Sequence, residues 1–158
     1  MRNIAAFLVV LLVGLASAPA GGQTSQTSTG ARQEILNYQL SLARADHLII
    51  AMEAMTKYLV SLPDFQDRFA KSMKMSPAER RAQLEKDPKA MAILKQNGLS
   101  SQDYLVGVPA LRMALMAAQG LANSPNVTAS PANVAFAKAN LSQLKPKMDA
   151  ADGIRGRE

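Results

Sequence analysis

The sequence predicts an all-α protein: a single compact helical domain of about five or six helices around a central apolar helix, Ser101–Ala122, after a cleaved signal peptide. Three observations predict it. Helix starts are written as a capping residue followed by proline at Ser76-Pro77, Asp87-Pro88 and Ser130-Pro131. Apolar residues recur every three or four positions rather than alternating. Between Tyr104 and Ala122 the one charged residue is Arg112, so that helix is apolar nearly all round and must be covered on several sides. No Asn-Gly pair lies between alternating runs, since Asn97-Gly98 falls at a helix end, and no repeat of 20–50 residues is present.

The segments follow in order. In Met1–Ala20, Arg2 precedes the apolar run from Ile4 to Ala16, and the small residues Ala18-Pro19-Ala20 close it. That is the three-part pattern of a secretory signal peptide, with cleavage expected after Ala20 and residues 1–20 removed. The run is shorter than the roughly 20 residues of a membrane span. Without a cysteine for lipid attachment or a twin-arginine pair, the Sec route to the periplasm or the exterior is implied, with no transmembrane anchor in the mature chain. Residues 21–30, GGQTSQTSTG, lack large apolar side chains to offset their ordering entropy and read as a flexible leader. The helical domain is expected over 31–150. Its first ten residues read as irregular or a short helix, because Leu36, Tyr38 and Leu40 alternate.

Ser41–Ser61 is an amphipathic helix with Ala45, Leu48, Met52, Met55 and Leu59 on one stripe, Glu53 and Lys57 on the far side, and Pro63 as its stop. Asp64 is placed to cap a helix whose Phe65, Phe69 and Met73 share a face. Ser76-Pro77-Ala78-Glu79 is a capping box. Gly98 is a left-handed stop with Leu99 behind it, and Ser100 caps the central helix. In that helix Tyr104, Val108, Leu111, Leu115 and Ala118 form one stripe, and Val106, Ala110, Met113 and Ala117 lie opposite. Pro109 should kink it. A membrane span is rejected because Arg112 would sit at its midpoint, at a cost of roughly 2.5–3.5 kcal/mol. Residues 151–158, with Gly153 and Gly156, should fray.

Composition narrows the chemistry. There is no Cys and one His, which excludes disulfides, thiolate catalysis, Cys-ligated metals and any His pair within one chain. His47 lies on the flank of its helix with no motif partner, and reads as an ordinary flank residue. Met52-x-x-Met55 and Met113-x-x-Met116 could offer thioethers to Cu(I), but Met52 and Met55 share the core stripe and read as packing. No paired carboxylates, phosphate loop or zinc motif appears, so no cofactor, metal or catalytic residue is expected.

Charge is more informative. The formal net charge is +6. Arg68, Lys71, Lys74, Arg80, Arg81, Lys86, Lys89 and Lys95 stand against Glu79, Glu85 and Asp87 in one window, which holds nearly all of that excess. A solvated helical face is one reading. The other is a docking face for an anionic partner, centred on Arg80, Arg81, Lys86 and Lys89. Nucleic acid is disfavoured by export and by the lack of interleaved aromatics.

Asn97-Gly98-Leu99-Ser100-Ser101-Gln102-Asp103-Tyr104 leading into an apolar helix, followed by Ser130-Pro131-Ala132-Asn133-Val134-Ala135-Phe136-Ala137-Lys138-Ala139-Asn140, resembles a group of small exported all-helical bacterial proteins. The resemblance covers about the C-terminal third and implies export and an all-helical domain; it brings no activity with it. Met75-Ser76-Pro77-Ala78-Glu79-Arg80-Arg81-Ala82-Gln83 resembles the Leu-Thr-x-x-Gln segment of Spy-like chaperones, with Glu79 in place of the Gln. The expected function is therefore a non-enzymatic exported protein that binds an anionic envelope component or a protein client through its helical surface. The alternative is a periplasmic Spy-like holdase chaperone.

Overall fold

The computed structural model describes residues 24–121 and 127–153 of the 158. The signal peptide and its cleavage site, residues 21–23 of the leader, Ala122 and residues 154–158 of the tail lie outside the described residues. Within them the protein is all-α, with no strand. The helices are α1 (Thr24–Asn37), α2 (Leu42–Val60), α3 (Phe65–Ser72), α4 (Pro77–Glu85), α5 (Pro88–Gln96), α6 (Ser101–Met116), α7 (Pro131–Ala139) and α8 (Leu141–Gly153). A π turn, Ala117–Leu121, continues α6. The eight helices among the described residues exceed the expected five or six; the caps before Pro77, Pro88 and Pro131 each start a separate short helix.

The caps form as their residue types dictate. At α4, Ser76 Oγ accepts from the Glu79 N–H at 3.3 Å and Glu79 Oε2 accepts from the Ser76 N–H at 2.7 Å. At α5, Asp87 Oδ1 accepts from the N–H groups of Lys89 and Ala90, both at 3.1 Å. At α6, Ser100 and Asp103 form the same reciprocal box. Gly98 has φ 65°, the Leu99 N–H donates to the Leu94 carbonyl at 2.9 Å and the Gly98 N–H to the Lys95 carbonyl at 3.0 Å. This is a Schellman stop with Leu99 buried behind it. Asp64 departs from its expected role. Its side chain makes no cap bond and instead accepts from Arg68 Nε at 2.8 Å, because the guanidinium one turn on competes for the carboxylate.

The core forms around α6, which packs against α1, α2, α4, α5 and α7, while α8 closes over α2. Leu111 and Ala114 are fully buried, and Val106 and Ala110, on the opposite side, are buried as well. By length and composition Ser101–Leu121 could cross a membrane; in the fold it is the helix the others surround. The helix runs continuously through Pro109, which is buried. Gly120, with φ 93°, ends the apolar stretch in the left-handed region, earlier than the even run to Ala122 that the stripe implied. Arg112 is not an isolated charge. Its guanidinium meets Asp152 Oδ1 of α8 at 2.5 Å and Met52 Sδ of α2 at 3.2 Å, so one side chain ties three helices together.

Two boundaries differ from expectation. The leader is helical from Thr24, and α1 runs on to Asn37. Propagating a helix costs far less than nucleating one, so the turns anchored against α6 carry the polar residues before them. The tail does not fray at Ala151, which is 1% exposed and extends α8 into the core. Tyr38–Leu40 is irregular but held. The Asn133 side chain, 2% exposed, donates through Nδ2 to the Tyr38 carbonyl at 2.7 Å and accepts at Oδ1 from the Leu40 N–H at 3.2 Å. This amide satisfies the strand-like backbone that has no sheet to join.

Helix α3 stands apart. None of its residues is buried, and among the described helices it is the one without a substantial packing partner. Phe65 and Phe69 pack on each other, ring centroids 6.1 Å apart, outside the core cluster.

Candidate functional site

The basic window of the sequence becomes the side of the fold made by α3, α4, α5 and their connections. The four residues expected to form its centre do not act as one surface. Arg80 and Arg81 are only partly exposed, and the Nε atom of each is buried without a hydrogen-bond partner. The Arg81 guanidinium reaches Glu34 of α1 at 3.7 Å, so its charge is partly spent inside the fold. Lys86, at the C-cap of α4, and Lys89, in the first turn of α5, are exposed. The Lys89 ammonium lies 4.8 Å from the centre of the Tyr58 ring, a cation–π contact with α2.

Lys86 borders an open cleft of about 370 Å³ where α2, α3 and the α4–α5 junction meet. Its lining is Tyr58, Arg68, Gln83, Lys86, Asp87 and Pro88. Sequence reasoning placed Arg68 in the basic window but not at the site, and did not single out Tyr58 or Gln83. Tyr58, Arg68 and Lys86 lie on separate elements, and no local spacing signals their convergence.

Three carboxylates of this side are engaged by the fold, whereas Asp67, in the first turn of α3, is exposed. Glu79 is held in its own capping box. Glu85 accepts from the Ser101 hydroxyl at 2.5 Å. Asp87 holds the α5 N-terminus with Oδ1 and accepts from the Tyr58 hydroxyl at 2.8 Å with Oδ2. Burial pushes the Asp87 carboxyl up, but the Ala90, Tyr58 and Lys89 hydrogen bonds and the Arg68 charge outweigh it and hold it below its ordinary value. The same hydrogen bond raises the Tyr58 phenol. Among the described residues Lys71, Lys74, Lys86, Lys89 and Lys95 are exposed and in no ion pair.

A second polar group lies at the start of α6. The Tyr38 hydroxyl donates to Asp103 Oδ1 at 3.4 Å, and an Arg44 nitrogen is 3.3 Å from the same oxygen. Burial pushes the Tyr38 phenol up to about 12, against the opposing Arg44 charge, so it remains a donor rather than a base at neutral pH. Its ring lies against Gly107: a Cβ there would meet Tyr38 carbon and oxygen atoms at 2.7 Å. The group fastens the α1–α2 connection to the central helix.

His47 is exposed on α2. Met52 and Met55 are 1% and 3% exposed, in the core, whereas Met116 is 38% exposed. Among the described residues no group of three or more His, Asp or Glu is gathered as a metal site would need. No protein-family model, curated protein or solved structure matches the chain.

Proposed function

We propose that the chain is an exported, non-enzymatic helical protein that binds an anionic partner, an envelope surface or polymer, through the side formed by α3, α4 and α5. The observation that carries this reading is the engagement of Glu79, Glu85 and Asp87 in structural hydrogen bonds while five neighbouring lysines remain exposed and unpaired. Eight positive charges against three negative ones from Arg68 to Lys95 leave a field of one sign, and it attracts anions over about one Debye length, roughly 8 Å at physiological ionic strength.

The test is sedimentation of purified protein with phosphatidylglycerol vesicles over a salt series, beside a variant with Lys71, Lys74, Lys86 and Lys89 all changed to Gln. Wild type should bind at low salt and release as salt rises. The variant should bind poorly and keep its helical circular dichroism, since exposed unpaired charges contribute little to stability. Lysines are preferred to Arg80 and Arg81 here, because the arginines are partly buried. Wild-type behaviour of the variant at low salt overturns the reading. Export has its own check: intact mass from the cell envelope should give a chain beginning at Gly21.

The holdase reading draws on a separate observation. Helix α3 carries Phe65 and Phe69 without burying any residue, and Ile50 is 54% exposed on α2. A holdase must suppress aggregation of an unfolded client. Vesicle binding without such suppression leaves the anion-binding reading standing and removes the chaperone.

A further inference from the structure

Resting on that reading of the basic side, we infer that the cleft between α2, α3 and the α4–α5 junction is a phosphate-binding subsite, which seats a tetrahedral phosphate group between Arg68 and Lys86. The phosphate is free in solution or carried by a lipid headgroup.

The donors are built into the walls. Arg68 gives Nε to Asp64 at 2.8 Å, which steadies the guanidinium at the rim of the cleft and leaves its two terminal nitrogens for a ligand. Lys86 stands at the end of α4 with an unpaired ammonium. Gln83, one turn before it, adds a carboxamide that makes no hydrogen bond among the described residues.

Asp87 is the one carboxylate among the lining residues, and both its oxygens are already engaged. Oδ1 takes two backbone N–H groups, and Oδ2 takes the Tyr58 hydroxyl. The Arg68 charge acts on the same carboxyl. The groups left for a ligand are therefore a guanidinium, an ammonium and an amide.

These three come from α3, the α4 C-cap and α4, and all line the cleft. A planar carboxylate offers two coplanar oxygens, whereas a phosphate group sets its oxygens in a tetrahedron, four in the free ion and two unesterified in a phosphodiester headgroup, with Arg supplying a forked pair of donors. The cleft is open, so the phosphate can remain attached to a larger body.

The test follows the Gln83 side-chain amide and the Arg68 Nε–H by NMR during titration with inorganic phosphate. A parallel arm measures vesicle binding with phosphatidylglycerol, with and without phosphate as competitor. The variants are R68Q/K86Q in the cleft and K71Q/K74Q on the same side outside it, both checked by thermal melting. K86Q alone changes one exposed helix-end residue and serves if the double variant does not fold.

Wild type and K71Q/K74Q should titrate alike, and R68Q/K86Q should bind phosphate at least about tenfold more weakly. Competition by phosphate identifies the lipid headgroup as a ligand of the subsite; phosphate binding without vesicle competition identifies the soluble anion. Either supports the inference. Equal weakening by both double variants, or vesicle binding with no phosphate shift at Gln83, overturns the subsite and leaves the broader anion-binding reading intact. Absence of binding to either probe overturns both.

Discussion

Gly107 shows how much one missing carbon decides. In the middle of a helix, Ala is favoured over Gly by roughly 1 kcal/mol. Here the absent Cβ is the space that Tyr38 and Leu48 fill, since a Cβ would lie 2.7 Å from Tyr38 and 2.9 Å from Leu48 Cδ2. The second contact is in the fully buried core, where neither partner can yield freely. Gly107→Ala should therefore destabilise the fold by about 1–3 kcal/mol despite its better propensity. Urea titration reads the difference, and a neutral or stabilising result means that Tyr38 does not pack there. Asn133 makes the opposite point about legibility. Its position three residues after the Ser130 cap was plain, yet nothing local indicated that its amide would serve the backbone of Tyr38 and Leu40.

At the level of helices, periodicity and caps were readable because both are local. The α2 stripe, the Ser76 box, the Ser100 cap and the Gly98 stop are each written within a few residues, and each forms. What failed depended on partners distant in sequence. The polar start of α1 gains its helix from packing further along it, and Ala151 is buried because α8 reaches α2. The cleft was illegible for the same reason: the window showed the charge, but not which carboxylates the fold would occupy. The apolar girth of α6 makes a quantitative demand. Leu111 is fully buried at its centre, so Leu111→Ala should cost about 2–5 kcal/mol, the range for a cavity that the surroundings refill only in part. A denaturation midpoint unchanged from wild type would show that α6 is not the packing centre.

The whole molecule is pinned by carboxylates that must stay ionised. Burial raises Asp103, but the Ser100 hydroxyl and backbone, the Arg44 charge and the Tyr38 hydroxyl together depress it, as the corresponding contacts depress Asp87. A carboxyl whose folded-state pKa lies below its unfolded value of 3.8 contributes stability that is fully present above that value. The contribution is lost as pH falls through the lower folded-state value. Thermal melting should thus be nearly level from pH 7 to about 5 as far as these two groups are concerned, and fall steeply below about 4. The D87N/D103N pair should be less stable at neutral pH and show a shallower acid slope; an unchanged slope would assign the acid sensitivity elsewhere. The Asn133 clamp reaches across more than ninety residues of chain, 93 to Leu40 and 95 to Tyr38. It therefore imposes a timetable on assembly. During synthesis the helices of the first hundred residues can nucleate as they emerge, but the Tyr38–Leu40 backbone has no mate until α7 has been made. The native state is then reached only once the C-terminal third exists, and the amino-terminal region remains open to threading or capture until that closure.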